Sequence, residues 1–95
     1  MEPTDTTFLI DQLLGQTVVI DLTSPYVCLG NLVGFDREYL DVRDADLHDF
    51  RDSPATRELY VYNSVRVGIR RNRGRVLIRR AEVVALTRLS DVLES

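Results

Sequence analysis

The residues of this chain that are best suited to chemistry are its arginines, because all 12 of its basic residues are of that type. Seven of them fall between positions 66 and 80: Arg66, Arg70, Arg71, Arg73, Arg75, Arg79 and Arg80. A guanidinium group pairs with a phosphate through parallel hydrogen bonds and also stacks on nucleobases. The cluster therefore indicates an RNA-binding surface, although a solvated face or a contact between subunits would use the same residues.

The acidic residues are concentrated in a different segment. Seven of them lie between positions 36 and 52: Asp36, Glu38, Asp41, Asp44, Asp46, Asp49 and Asp52. The formal net charge of −3 argues against a protein that simply coats nucleic acid. The near-neutral total nevertheless conceals a local positive field around the arginines.

The sequence does not indicate an enzyme. His48 is the single histidine, and no serine or cysteine lies in a recognisable nucleophile motif. We interpret His48 as a solvated loop residue, and the single cysteine, Cys28, as a small core residue among apolar neighbours. The acids around His48 lack the glycine turn and final glutamate of a calcium loop, so we predict neither a metal site nor a cofactor.

Short β-strands are expected to position the arginines. Runs of β-branched and aliphatic residues predict strands at residues 17–22, 26–35, 39–43, 75–79 and 82–89. A short helix of about two turns is expected from Thr6 or Thr7 to Gly15. Gly30 and Gly34 within the second strand predict two sharp bends, which are typical of a barrel and not of a flat sheet.

Between the third and fourth strands the pattern is less regular. Residues 44–52 are polar and are expected to be irregular, and residues 70–75 form a basic connection. For residues 53–68, a Ser53-Pro54 start, a Gly68 stop and an apolar period near four favour a helix. Alternation of apolar and polar residues fits a strand as well. We favour the helix.

The size of the chain sets the remaining expectations. A chain of 95 residues forms one domain, residues 1–95, in which residues 1–5 read as a disordered tail. A domain of this size buries only about two-thirds of the surface of its unfolded chain, so self-association would add stability. No apolar stretch is long enough to span a bilayer, and a lone cysteine fits a reducing compartment. A soluble, cytoplasmic protein without a membrane partner is expected.

Two separated segments resemble the two signatures of the Sm and LSm family. The first is formed by Gly15, the strand VVIDL and the sequence GNLVGFD at residues 30–36, which continues into YLDV. The second is VLIRRAEVVAL at residues 76–86, where the family has an Ile-Arg-Gly turn between two strands. The resemblance implies a mainly β fold: an SH3-like, strongly bent, five-stranded antiparallel barrel with a short N-terminal helix. Residues 44–74 then form an insertion between the third and fourth strands.

The resemblance also implies an assembly and a site. The fourth strand of one subunit would pair with the fifth strand of the next, so that a homo-oligomeric ring satisfies every strand edge. Asp36 and Arg79 carry over as RNA-binding residues at the pore. The family's Asn in the turn after the Asp is replaced here by Arg37-Glu38-Tyr39, and the family's Arg-Gly by Arg79-Arg80. Tyr39 could stack on a base without reading it, so loss of specific uridine readout is expected.

Two hypotheses follow from the sequence. The first is a non-catalytic ring that binds single-stranded RNA. Its RNA-binding residues would be Asp36, Tyr39, Arg79 and Arg80 near the pore, with Arg70, Arg71, Arg73 and Arg75 on phosphates. The alternative is a structural or protein-interaction ring without physiological RNA binding, in which the insertion docks a partner and the arginines hold neighbouring subunits together.

Overall fold

The computed structural model describes residues 8–52 and 56–93. Five antiparallel strands form one bent sheet: β1 (Thr17–Leu22), β2 (Tyr26–Phe35), β3 (Tyr39–Asp49), β4 (Arg73–Arg79) and β5 (Val83–Arg88). Two α-helices, α1 (Phe8–Asp11) and α2 (Arg57–Val67), accompany them, with short 3-10 turns at Phe50–Asp52, Arg80–Glu82 and Leu89–Asp91. The predicted mainly β, five-stranded antiparallel fold with a short N-terminal helix is confirmed.

The strands lie in the order β4-β3-β2-β1-β5, which leaves β4 and β5 as the two edges of the sheet. Among the described residues these two strands are not paired with each other, so the sheet is bent but does not close into a barrel. This corrects the expectation of a barrel closed within one chain. Two edges of unpaired backbone groups remain, and such edges pair readily with another strand.

The bends of the sheet lie where the sequence predicts them. The register of β2 with β3 shifts between Leu29 and Asn31 and again between Leu32 and Gly34. At Gly30 the partner strand passes so close that a Cβ atom would lie 2.7 Å from Cγ1 of Val42 and 2.9 Å from Cβ of Ala45. Only glycine fits at this position without displacing the core.

Both faces of the central strands are buried. The inner core, inside the bend, consists of Val18, Ile20, Leu22, Cys28, Leu32, Leu40, Val42, Ala45 and Ile78. The outer core, on the opposite face, consists of Val19, Val27 and Leu29 from the sheet together with Val61 from α2. The interpretation of Cys28 as a core residue is confirmed, and burial raises the pKa of its thiol to about 12.

The segment after residue 43 is more regular than the sequence suggests. β3 continues to Asp49, so the prediction of an irregular segment from residue 44 is wrong for residues 44–49. The predicted helix is confirmed as α2, which ends at Val67 and is followed by Gly68, whose φ of 95° favours glycine. Thr56 caps its start by accepting a hydrogen bond from the Leu59 amide at 3.1 Å. The predicted start at Ser53-Pro54 lies outside the described residues.

The N-terminal helix is shorter than expected. α1 ends at Asp11, and the chain reaches β1 through turns in which the Leu13 amide donates to the Ile10 carbonyl at 2.9 Å. The predicted caps Thr6 and Thr7, and the predicted tail at residues 1–5, lie outside the described residues. Within the described part of the chain, neither helix has the length and apolar character needed to cross a membrane.

Candidate functional site

Asp36 shapes the turn between β2 and β3. Its Oδ1 atom accepts hydrogen bonds from the backbone amides of Glu38, at 2.8 Å, and Tyr39, at 2.7 Å. These two hydrogen bonds, helped by the nearby charge of Arg80, lower the pKa of the Asp36 carboxyl. An aspartate that binds the amides two and three residues ahead holds a turn in one shape. The predicted tight turn is therefore present.

Arg80 connects this turn to the turn between β4 and β5. Its backbone amide donates to the Glu38 carbonyl at 2.8 Å, and its Nη1 atom donates to the Asp36 carbonyl at 2.7 Å. The guanidinium group also lies over the Phe35 ring, 5.7 Å from its centroid. Two segments more than forty residues apart in the sequence are thus joined, and the side chain of Arg80 is largely occupied in joining them.

Tyr39 and Arg79 lie side by side next to this junction. They are paired across β3 and β4, and both are exposed. Their neighbours Leu40 and Ile78 point into the inner core, so Tyr39 and Arg79 face outward. The guanidinium group of Arg79 has neither a hydrogen bond nor an ion pair with any described residue. We call Asp36, Tyr39, Arg79 and Arg80 the turn cluster.

Arg75 lies in a groove that adjoins the turn cluster. The groove has a volume of 250 Å³, and Asp36, Tyr39, Asp41, Arg75 and Leu77 are among its lining residues. Arg75 donates to Asp41 through Nε at 3.0 Å and Nη2 at 3.2 Å. This hydrogen-bonded pair, with a smaller contribution from Arg43, lowers the pKa of Asp41. Part of the positive charge of β4 is therefore neutralised within the chain.

Three further predicted residues lie elsewhere. Arg70 and Arg71 line a cavity of 720 Å³ between α2 and β3, together with Asp46, His48 and Tyr60. Arg73 is exposed at the start of β4 and donates to the Asn72 carbonyl at 3.1 Å. The predicted site residues are thus divided between the turn cluster with its groove and a second surface beside α2.

His48 is not the solvated loop residue that the sequence suggested. It is partly buried on β3, and its ring stacks on Tyr60 with centroids 4.1 Å apart and planes 8° from parallel. The Tyr60 hydroxyl donates to Oδ2 of Asp46, a buried residue on the same face of β3. Burial, followed by this hydrogen bond, raises the pKa of Tyr60. His48 is misassigned because the sequence pattern does not reveal that β3 continues this far.

Sequence reasoning also missed three residues that organise the site. Phe35 supports the Arg80 guanidinium, the Glu38 carbonyl receives the Arg80 amide, and Asp41 holds Arg75. The alternation in residues 39–43 contained a signal for Asp41, since it places Tyr39 and Asp41 on one face. In residues 8–52 and 56–93 no three His, Cys, Asp or Glu residues lie together as a metal site.

Comparison with known proteins gives matches at the level of structure only. No family model and no curated protein matches the sequence. A Pyrococcus abyssii Sm protein, solved with a uridine heptamer, superimposes with a TM-score of 0.59 at 18% identity, over 90% of this chain and 99% of that one. An Sm-like protein from Archaeoglobus fulgidus gives a TM-score of 0.58 at 13% identity, over 93% of this chain and 97% of that one.

The fold is Sm-like. The resemblance in the two sequence signatures is thus matched by the three-dimensional structure across almost the whole chain. Another similar structure is a chain of the NatC complex bound to a Gag peptide and CoA, with a TM-score of 0.52 at 18% identity over 82% of this chain and 87% of that one. This chain is therefore similar in structure both to a protein solved with a uridine heptamer and to a chain of the NatC complex.

Proposed function

We propose that the protein is a non-catalytic, ring-forming Sm-like subunit that binds single-stranded RNA at the turn cluster. The observation that carries the proposal is the junction of the two turns, in which Arg80 donates to both the Glu38 and the Asp36 carbonyl groups. Beside this junction, Tyr39 and Arg79 are paired across β3 and β4 and are both exposed. The similarity to an Sm protein in complex with a uridine heptamer supports RNA as the ligand.

The residues of the turn cluster have different roles in this proposal. Asp36 and Arg80 are positioning residues, because their polar groups are engaged in holding the two turns together. The guanidinium of Arg79 has no partner among the described residues, so it contacts a phosphate or stacks on a base. Tyr39 provides an aromatic surface on which any base stacks. Arg70, Arg71, Arg73 and Arg75 extend the phosphate contacts along the outer surface.

The turn cluster lacks a side-chain amide that could read the edge of a base. Arg37-Glu38-Tyr39 stands where the Sm signature has its Asn, and stacking does not distinguish one base from another. The protein is therefore expected to bind uridine and adenosine oligomers with similar affinity. Phosphate contacts supply most of the binding free energy, so salt should weaken it strongly.

Pairing of β4 with β5 of the next copy accounts for both unpaired edges of the sheet. The two strands lie at opposite ends of the strand order, so each copy presents one edge to each neighbour. Head-to-tail contacts of this kind close into a ring when the rotation per copy divides a full circle. A ring also brings the turn clusters of several copies together around a common RNA.

The test is titration of fluorescent RNA oligomers by anisotropy at a series of salt concentrations. We expect the affinity to fall with salt, with a log–log slope of about −0.7 per phosphate contact. Arg79→Ala should make the slope shallower by about 0.7 if the arginine neutralises one phosphate. The matched control is Arg51→Ala, because Arg51 pairs with Asp49 on a different part of the surface. Absent or salt-insensitive binding would remove the proposal.

A second candidate function is a scaffold ring that contacts proteins and not RNA. Two observations favour it: the similarity to a chain of the NatC complex, and the neutralisation of Arg75 by Asp41 within the chain. In this case replacing Arg79 and Arg80 together by Ala breaks the oligomer in sedimentation, and RNA affinity is negligible from the start. An arginine pair that is dispensable for assembly but required for RNA retention favours the first function.

A further inference from the structure

The two sides of helix α2 differ in chemistry. On the side toward β3 it presents two polar residues, Asn63 and Ser64, together with Tyr60 and Val67, to the cavity that Arg70 and Arg71 also line. On the side toward β5 it presents Leu59, Tyr62 and Val65. Residues spaced by three lie on one face of a helix, so these last three form an apolar stripe, which we call the α2 stripe.

The α2 stripe borders an open groove beside β5. The groove has a volume of 610 Å³, and its floor includes Val19 of β1 and Thr87 of β5. A separate, smaller cavity of 330 Å³ is lined by Val65 of α2 together with Arg88 and Leu89. The apolar residues of both cavities are incompletely covered, since Leu59 is 49% exposed and Val65 is 43% exposed. A covered groove would bury this apolar surface.

The position of the groove relative to the sheet indicates what would cover it. β5 is an edge strand, and Thr87 faces the same side as Val19 because the two are paired. A strand added to β5 lies about 4.8 Å beyond it, with alternate side chains on this outer face. Those side chains would stand against the open side of α2.

The outer face of β4 has the complementary composition. Leu77 is 50% exposed and stands among the arginines of alternate positions, Arg73, Arg75 and Arg79. The groove contains the acids Asp21 and Glu58, of which Asp21 already pairs with Arg57 at 3.5 Å. Leu77 beside Arg79, which has no ion pair with a described residue, therefore matches an apolar groove that has Glu58 in its wall.

We propose that the inserted helix α2 is part of the subunit interface, where the α2 stripe packs on Leu77 of the neighbouring copy and covers the seam between β5 and the neighbouring β4. The occupant of the groove is thus a second copy of this chain. The inference rests on the edge-to-edge pairing in the proposed function and adds a second layer to it. Helix α2 then contributes directly to the stability of the assembly.

The test is disulfide cross-linking of a Leu59→Cys/Leu77→Cys variant under mild oxidation. Within one chain Leu59 lines the groove beside Val19 and Thr87, whereas Leu77 lies on β4 at the other end of the strand order. A bond is therefore expected between copies and not within one chain. Each copy carries both partners, and we expect a ladder of covalent oligomers on a non-reducing gel. Leu59→Cys or Leu77→Cys alone should stop at dimers. Cys28 is buried and does not interfere.

The matched control is Val67→Cys/Leu77→Cys, because Val67 is 79% exposed but lines the cavity on the other side of α2. This pair should give no ladder. If the protein sediments as an oligomer and binds RNA while the Leu59 pair cross-links no better than the Val67 pair, the inference is overturned and the proposed function stands. If the protein is monomeric and binds no RNA, the proposed function fails as well.

A second variant tests the same contact without disulfide cross-linking. Leu59→Asp places a charge in the groove and should raise the protein concentration needed for assembly by about tenfold or more. Val67→Asp should leave that concentration unchanged. Far-ultraviolet circular dichroism of the diluted proteins confirms that both variants stay folded. Equal assembly of the Leu59→Asp and Val67→Asp variants would contradict the proposed contact.

Discussion

The inner and outer cores of the sheet are built from different parts of the sequence. The inner core contains apolar residues of β1, β2, β3 and β4, and all of these strands carry parts of the two sequence signatures. The outer core joins Val19, Val27 and Leu29 of the sheet to Val61 of α2. Because neighbouring residues of β1 alternate between the two cores, Val18, Val19 and Ile20 are all buried in succession.

The two cores also differ in the polar groups that lie beside them. The inner core is a continuous apolar cluster. Beside the outer core lie a buried carboxylate, Asp46, bonded to Tyr60, and the stack of His48 on Tyr60. Arg57 adds a cation–π contact with Phe50, at 4.7 Å from the ring centroid. Helix α2 is thus attached by a small apolar contact and a few polar ones, and it should open without unfolding the sheet.

The largest expected effect comes from truncating one residue in each core. Leu40→Ala in the inner core should lower the free energy of unfolding by about 2–5 kcal/mol, because it leaves a cavity among fully buried side chains. Val61→Ala in the outer core should cost about 1 kcal/mol, since fewer atoms are removed and the site lies at the surface of the sheet. Urea denaturation of both variants gives the two values.

Hydrogen exchange distinguishes local from global effects of the same two variants. Val61→Ala should speed exchange of the α2 amides and leave the central strands protected, whereas Leu40→Ala should speed exchange throughout the sheet. Equal acceleration in α2 and in β2 for the Val61 variant would show that the two cores unfold as one unit. The inner and outer cores would then not differ in their local free energy of unfolding.

A smaller effect is expected from the polar link between β3 and α2. Tyr60→Phe removes the hydroxyl that donates to the Asp46 side chain and leaves a buried carboxylate without this hydrogen bond. An unsatisfied buried group costs about 1–3 kcal/mol. Asp46→Asn keeps an acceptor oxygen for the Tyr60 hydroxyl and should cost less. Thermal unfolding of the two variants gives the ranking, and a larger loss for Asp46→Asn would contradict the assigned donor and acceptor.

The inner core and the turn at Asp36 could be foreseen from the sequence because their signals are local, whereas the contact of Arg80 with that turn joins residues 44 positions apart. Alternation in β1 and β2, the glycine at position 30 and the Asp36 turn each depend on a few adjacent residues. The strand boundaries follow the same logic, and β1 and β2 agree with the predicted 17–22 and 26–35. Even the edge strands β4 and β5 agree with their predicted positions to within two residues.

The outer layer could not be foreseen, because its partners are distant in the sequence. Nothing near His48 indicates that Tyr60 will stack on it, and Asp46 reads as a loop acid until the hydroxyl of Tyr60 reaches it. The helix itself has apolar residues on both sides, which is why strand alternation fits the same segment. Its apolar pattern is explained once one side faces the sheet and the other faces the edge of β5.

The smallest effect is expected at the end of β3, where the chain leaves the sheet and continues toward α2. Hydrogen bonds from the side chain and backbone of Arg51 lower the pKa of Asp49 from 3.8 to about 2. A carboxyl with a depressed folded-state pKa stabilises the fold above its unfolded pKa, and the contribution disappears as the pH falls through the folded value. The wild-type protein should therefore lose stability between about pH 4 and pH 2 partly through Asp49.

Asp49→Asn should make this loss shallower, as measured by urea denaturation at closely spaced pH values. Arg51→Ala removes the same pair from the other side and should flatten the curve similarly, and the double variant should show no further change. If α2 opens before the sheet, the exchange rate of its amides should increase at a higher pH than that of the β2 amides as the solution is acidified. If the α2 and β2 amides begin to exchange at the same pH, the Asp49–Arg51 pair stabilises the sheet and α2 together.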